Sequence, residues 1–263
     1  MILSVALHKG GVGKTTTAFN LSAGLAKEGK NVLLVSLESQ GNLNTCVGYE
    51  KKPGDLDIFN LILDLFSGQK PRTSDAITYI EQEEFWYIPS DVTVENVGNL
   101  LGGASSSGIK STMYLHELFK GPEFEKFDYI ILDCRPTMDF LLQNAINASD
   151  KVIIPITPHQ FSLEGIMTFW AWQEEHWHGN PVDRTLGFLI TVADRRSKDY
   201  KNLHDELTEA FGKDKVFKSV IPYIQSENRL SVSNHRSAVS LANSKIGAAY
   251  MDFTKEVIEK TQQ

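Results

Sequence analysis

Short, almost uninterrupted apolar runs recur along the chain, at Ile2 to Leu7, Val32 to Leu37, Phe85 to Ile88, Tyr129 to Leu132, Val152 to Ile156, Leu186 to Thr191 and Val216 to Ile221. Runs of this length with no polar alternation predict strands covered on both faces. Between them the spacing turns helical. Thr15 to Lys27 carries Ala18, Leu21 and Leu25 on one side and stops at Gly29; Ile58 to Leu65 and Val92 to Leu101 read as shorter helices. Met167 to Gly179 (MTFWAWQEEHWHG) reads as an aromatic-rich helix packed inward and ending at its glycine, and the last segment places Ala249, Tyr250, Phe253, Val257 and Ile258 at helical spacing. Gly102 to Gly108 (GGASSSG) is the one low-complexity stretch and reads as a mobile loop, because strand–helix alternation resumes on both sides. The whole pattern predicts an α/β fold: a parallel twisted sheet with helices on both faces, in a single domain over residues 1–263.

Composition narrows the setting. The 263 residues are 41% hydrophobic and 22% charged, enough to bury a sizeable core. No run of about 18 apolar residues predicts a membrane span, and the start lacks the basic residues and cleavage site of a signal peptide. Two cysteines in unrelated contexts, Cys46 and Cys134, predict neither a disulfide framework nor a zinc site and point to a reducing cytoplasm. Net charge is -7, which argues against a surface that coats nucleic acid everywhere. Residues 184–263 nevertheless hold 13 Lys+Arg against 10 Asp+Glu, so a local basic face in this last third is open.

The chemistry begins at Lys9–Gly10–Gly11–Val12–Gly13–Lys14–Thr15–Thr16, between the first strand and the first helix. In that context a glycine turn aims backbone N–H groups at phosphate oxygens, and the following helix adds the positive end of its dipole. Lys14 is expected to reach the β and γ phosphates of ATP and the Thr15 hydroxyl to ligate Mg²⁺. The common pattern GxxxxGK[ST] is not met in full: His8 stands where its first glycine would be, and Lys9 is a second lysine five residues before Lys14. Asp133 ends an apolar strand, where a carboxylate can hold Mg²⁺ through water; Asp128 precedes the same strand and sits at its other end.

The sequence KGGVGKTTT resembles the deviant phosphate loop of the ParA/MinD family of partition and positioning ATPases, ParA/Soj more than MinD. Glu38 to Asn42 (ESQGN), Ile131 to Pro136 (ILDCRP), Val152 to Pro155 (VIIP), Leu163 to Gly165 (LEG), Lys215 to Pro222 (KVFKSVIP) and Arg229 to Ser231 (RLS) resemble further segments of the family, with residues 50–125 the least similar. The resemblance implies an ATP-bound homodimer in which Lys9 crosses to the partner's nucleotide. It implies adenine contacts from Pro222 and Tyr223, and a γ-phosphate-sensing loop containing Gln40 and Asn42. Similar proteins carry Asp-x-Asp where this chain has Ser36-Leu37-Glu38, which makes Glu38 the candidate to position the attacking water and predicts slow or partner-stimulated hydrolysis.

Arg195, Arg196, Lys198 and Lys201 cluster after one strand, and Arg229 and Arg236 fall in a segment that resembles a DNA-contacting region of ParA proteins. Phosphate contacts from such residues give salt-sensitive affinity without sequence preference. The resulting expectation is a cytoplasmic, nucleoid-associated ATPase that segregates plasmid or chromosomal DNA with a ParB-like or other small adaptor protein. The alternatives are a positioning ATPase for a protein cargo such as carboxysomes, a MinD-like membrane switch, an iron–sulfur reductase, a small-molecule ligase and a non-hydrolysing binder. The tail TKEVIEKTQQ, with mixed charges, speaks against the membrane. His159, His176 and His178 lack a partner acid or cysteine at metal-ligand spacing, so no metal is expected there.

Overall fold

The strands are β1 (Ile2–Val5), β2 (Val32–Ser36), β3 (Thr78–Ile80), β4 (Phe85–Ile88), β5 (Tyr129–Asp133), β6 (Lys151–Ile156), β7 (Thr185–Thr191) and β8 (Val216–Ile221). The helices are α1 (Lys14–Lys27), α2 (Asn42–Val47), α3 (Ile58–Phe66), α4 (Thr73–Ala76), α5 (Val97–Leu101), α6 (Tyr114–Phe119), α7 (Phe140–Ala148), α8 (Ser162–His176), α9 (Pro181–Arg184), α10 (Lys198–Phe211), α11 (Gln225–Ser233) and α12 (Lys245–Thr261). This computed structural model describes residues 1–103, 105–158, 162–176 and 180–262, with the backbone alone at Ser162 and His176. The expectations for His159, for the His176 side chain, for His178 and for a helix end at Gly179 lie outside the described residues.

The strands join in the order β3-β4-β2-β5-β1-β6-β7-β8, all parallel except β3, which runs antiparallel to β4. Alternate residues feed opposite faces, as strand geometry requires. Val32 and Leu34 of β2, with Tyr129 and Ile131 of β5, lie under α1 and α12; Leu33, Val35, Ile130 and Leu132 lie in the other core, with α3, α6, α7 and α8. The apolar runs are therefore strands covered on both sides, as expected.

Three differences from the expected elements have plain causes. Val92 to Leu101 is a 3-10 turn over Val92–Asn96 that continues into α5, with the Asp91 carboxylate capping its start. Within the Gly102 to Gly108 stretch, Ser105 is tied to its surroundings: its Oγ donates to Phe66 O at 3.1 Å, and Tyr114 Oη donates to Ser105 Oγ at 2.6 Å. The edge strand β3 has no counterpart in the sequence pattern, being three residues long with Tyr79 exposed.

At the other edge, β8 meets no further strand. The Glu256 carboxylate of α12 instead accepts the N–H groups of Lys218 and Ser219, both at 2.8 Å, and the Ser219 hydroxyl at 2.6 Å. No described helix is long and apolar enough to cross a membrane.

Candidate functional site

Parallel strands bring their C-terminal ends to one rim, and the candidate residues gather there. Asp133 closes β5 in register with Val5 of β1 on one side and Ser36 of β2 on the other. The loop after β1 and the loop after β2 therefore flank it. Gly11 and Gly13 of the first loop take left-handed backbone conformations, φ 74° and 83°, which a side chain would strain. Helix α1 starts at Lys14 with Gly13 as its cap residue and no side chain on its first N–H groups. Those donors are left for another acceptor.

Lys14 is buried, at 8% exposure, and its ammonium donates to the Lys9 carbonyl at 2.7 Å, closing the loop on itself. Burial lowers its pKa, while Asp133, Cys134 and Glu38 raise it in part, which places all three near the same charge. The Lys9 side chain is half-buried and makes no ion pair among the described residues. His8 lies beside Phe169 of α8, ring centroids 6.3 Å apart, and its buried Nδ1 has no partner among the described residues. Burial, then Lys14 and Lys9, lower its pKa, so the ring is neutral at physiological pH.

Asp133 is fully buried, and among the described residues neither carboxylate oxygen has a hydrogen bond of ordinary geometry. Burial pushes its pKa up to about 7; the Thr15 hydroxyl and Lys14 act in the opposite sense, and Glu38 adds to the rise. An ionisable group left without partners in a core is costly unless something else occupies the site. Two bare carboxylate oxygens, a hydroxyl on the first helical turn, a buried ammonium and an uncapped helix start together fit a magnesium-bound polyphosphate.

Glu38 lies just beyond the end of β2, half-buried. Its Oε2 accepts the Gln40 N–H at 3.0 Å and the Asn42 amide at 3.3 Å, so this carboxylate shapes the loop that leads into α2. Ser36 is buried and shares a hydrogen bond with the Ser90 hydroxyl at 2.7 Å, and Ser90 Oγ also lies 2.5 Å from the Glu38 carbonyl. The position that resembles an acid in similar proteins is thus a neutral hydroxyl satisfied by its neighbours.

Pro222 and Tyr223 follow β8 and line a cavity of about 220 Å³ that also touches Gly11, Gly13 and Thr16. The expected base contacts therefore share one enclosure with the phosphate loop. Asn228 and Ser231 of α11 and Cys46 of α2 complete it. Asn228 and Cys46 have no signal in the sequence, since their segments are far apart along the chain; Ser231 belongs to the RLS segment that resembles the family, which by itself assigns it no role. The Cys46 thiol is pushed up to about 11 by burial, then by Asp133.

The basic residues do not form one patch of equivalent charges. Arg195, Arg196 and Lys198 are exposed on the loop after β7 and at the start of α10, and Arg229 is exposed on α11. Arg195 donates to the Lys218 carbonyl at 2.7 Å, and Arg196 pairs with Asp194 at 3.1 Å. Arg236 stands apart: it pairs at 2.9 Å with the buried Glu83, which also accepts from the Ser237 backbone and from the Ser237 and Ser240 hydroxyls. Its guanidinium neutralises a buried carboxylate, which is work for the fold rather than for a surface.

A glycine loop, a buried lysine and an unpartnered strand-end carboxylate on the rim of a parallel sheet define a nucleotide-binding ATPase of the phosphate-loop class. An AAA domain family model matches residues 1–176. The sporulation initiation inhibitor protein Soj of Bacillus subtilis is 33% identical over 265 residues, covering 97% of each chain. The chromosome partitioning protein ParA of Caulobacter vibrioides is 31% identical, covering 84% of this chain and 80% of its own. The chain belongs to the ParA/Soj family of partition ATPases. Among solved structures, apo McdA of Cyanothece is similar with a TM-score of 0.81 at 23% identity, covering 97% of this chain and 98% of its own. The Mycobacterium smegmatis cobyrinic acid a,c-diamide synthase with bound ADP and magnesium reaches 0.79 at 23%, covering 100% and 95%. The Pyrococcus furiosus cell division ATPase MinD reaches 0.72 at 24%, covering 98% of both chains. These three likenesses concern the fold.

Proposed function

We propose that this chain is an ATP-driven partition switch. In this reading it binds ATP and Mg²⁺, dimerises on ATP, holds DNA without sequence preference, and lets go when a ParB-like or other small adaptor protein stimulates hydrolysis. The observation that carries the nucleotide part is the buried, unpartnered Asp133 carboxylate beside Lys14 and Thr15 at the uncapped start of α1.

The N–H groups of Gly10, Gly11, Val12 and Gly13, with those opening α1 at Thr15 and Thr16, cradle the phosphates. Lys14 leaves the Lys9 carbonyl for the β and γ phosphates, and the freed loop lets Lys9 face the partner's nucleotide. The Thr15 hydroxyl and the Asp133 carboxylate are the groups that would hold Mg²⁺. The metal supplies charge neutralisation on the transferring phosphate. Pro222 and Tyr223 flank the base. Glu38 orients the water through the oxygen that now holds Gln40 and Asn42. One domain suffices for all of this, since every group lies on one sheet rim.

Hydrolysis tests the catalytic assignment. In single-turnover measurements Glu38→Ala is expected to slow phosphate release by roughly 100-fold, the scale of a misplaced nucleophile, with ATP still bound. A rate equal to the parent's would remove Glu38 from the mechanism.

The DNA part is supported by the exposed Arg195, Arg196, Lys198 and Arg229, whereas Arg236 is held by Glu83. Two such sets meet in a dimer, so duplex DNA of random sequence is expected to shift with Mg·ATP and not with Mg·ADP. Changing Arg196 or Lys198 to alanine should lower the salt slope by about one for each DNA phosphate no longer neutralised. Equal shifts with both nucleotides, or none, would turn the reading toward a protein cargo. No described helix long and apolar enough to span a membrane accompanies the switch.

A further inference from the structure

Helix α2 has an unusual pair of boundaries. Gly41 precedes it with φ 68° and Gly48 follows it with φ 69°, so six helical residues lie between two left-handed glycines, anchored mid-helix where Asn44 donates to the Ser90 carbonyl at 2.8 Å and accepts from the Tyr87 hydroxyl at 2.5 Å. Such positions turn the chain without side-chain penalty and suit hinges. At its near end α2 is held by Glu38, whose Oε2 accepts from the Asn42 amide at 3.3 Å. At its far end the Thr45 carbonyl lies 2.6 Å from His235 Nδ1. A carbonyl only accepts, so Nδ1 carries the hydrogen and the ring's tautomer is fixed by this contact.

His235 follows α11 almost directly. Its backbone is left-handed at φ 50°, uncommon for a residue with a side chain. Three contacts hold it there. His235 N donates to Val232 O at 3.2 Å, its ring lies over Gly48, and its carbonyl accepts from Gln82, which also donates to Val47 O at 2.9 Å. A Cβ added to Gly48 would stand 3.0 Å from His235 Cβ. The end of α2 and the end of α11 are thus keyed together, and α11 carries Arg229 together with Asn228 and Ser231 of the base cavity.

We propose that His235 is a positioning residue that carries the state of the Glu38 loop, through the hinged α2, into α11. This rests on the reading that Glu38 faces the γ phosphate. When the water aligned on the γ phosphate takes up the Glu38 carboxylate and frees Asn42, α2 turns on its two glycines about the Asn44 anchor and takes Thr45 with it. The His235 hydrogen bond makes α11 follow, and Arg229 moves with it. ATP and ADP then present different α11 positions from the same site, a two-state element with a named differential contact.

The test is hydrogen exchange of the full chain with Mg·AMPPNP and with Mg·ADP. In the parent, exchange across Gln225–Ser233 is expected to differ at least about fivefold between the two nucleotides, the low end of ordinary coupling. His235→Asn, which accepts the left-handed backbone but cannot span to Thr45, should bring that difference below about twofold. Gly48→Ala, which pushes on His235 without altering it, should do the same. Both variants should keep nucleotide protection of Lys14–Lys27. If AMPPNP protects Lys14–Lys27 while α11 of the parent does not distinguish the nucleotides, or if His235→Asn retains the difference, the coupling is wrong while the site stands. If neither nucleotide protects Lys14–Lys27, the nucleotide reading and the coupling fall together. Arg229→Ala separates the DNA reading: it should lower DNA affinity while leaving the α11 exchange difference intact.

Discussion

Replacing Asp133 with asparagine is expected to raise the melting temperature of the nucleotide-free chain at pH 8 while removing magnesium-dependent ATP turnover. Burial lifts the Asp133 pKa from the ordinary 3.8 to about 7. The folded chain therefore holds that proton more tightly than the unfolded chain. The associated stability is present below about pH 4 and is lost as the pH rises through 7. The full loss corresponds to about 4 kcal/mol, at about 1.4 kcal/mol for each tenfold step in proton affinity. Asparagine keeps the shape and has no charge to bury. At pH 8 it should recover part of this, a rise of roughly 5–10 °C for a chain of this size; at pH 4 the gain should vanish. Calorimetry at the two pH values reads the effect. Mg·ATP should stabilise the parent far more than the variant, and turnover of the variant should fall by at least about 100-fold, the order of loss when one preorganised electrostatic group is taken from an active site. A variant less stable than the parent at pH 8 would mean that the carboxylate has partners the geometry does not show.

The second large effect is expected from Lys14→Ala. Lys14 is buried beside Asp133, Cys134 and Glu38. Its removal takes away a cation that restrains the rise of the Asp133 pKa. It also takes away the loop's buried ammonium, the charged donor placed to meet a phosphate dianion. Losing one side of such a pair costs about 3–4 kcal/mol, so ATP affinity should fall by a factor of roughly 100 to 1,000. A fluorescent nucleotide titration measures it. The loop itself should persist, since the Gly11 and Gly13 conformations are set by the backbone and Thr191 Oγ1 still anchors the Val12 carbonyl at 2.9 Å. An unchanged affinity would place the phosphates elsewhere.

The sheet was legible because its central strands are buried on both faces, so hydrophobicity alone marks them; β4 and β8 match the expected bounds, and β2, β5 and β7 differ by a residue at one end. Elements at the periphery carry weaker signals. In α10 only Leu203 and Leu207 are buried, and α2 (NLNTCV) has only Leu43 and Val47 inside. In α10 Tyr200, Leu203, Leu207 and Phe211 do fall at helical spacing, but as a narrow stripe among charges with no apolar run, and α2 is too short to show one. The same division holds for the site. Lys14, Thr15 and Asp133 belong to compact motifs tied to strand ends, and the parallel sheet brings them to one rim. The Ser36–Ser90 contact, the Arg236–Glu83 pair and the entry of Asn228 and Ser231 into the cavity beside the phosphate loop join segments far apart in sequence. Residue type says nothing about such pairings until the chain is folded; Arg236 reads as a surface cation and is bound to a buried acid 153 residues away.

The Glu256 contact at the rim strand has a colloidal meaning. A parallel edge such as β8 presents a ladder of amide donors to which another chain's strand can add. Here two of those donors and a hydroxyl are already spent on one carboxylate from the chain's own last helix. The opposite edge offers only the three residues of β3. The β8 edge is thereby partly closed to strand addition by another copy of this molecule.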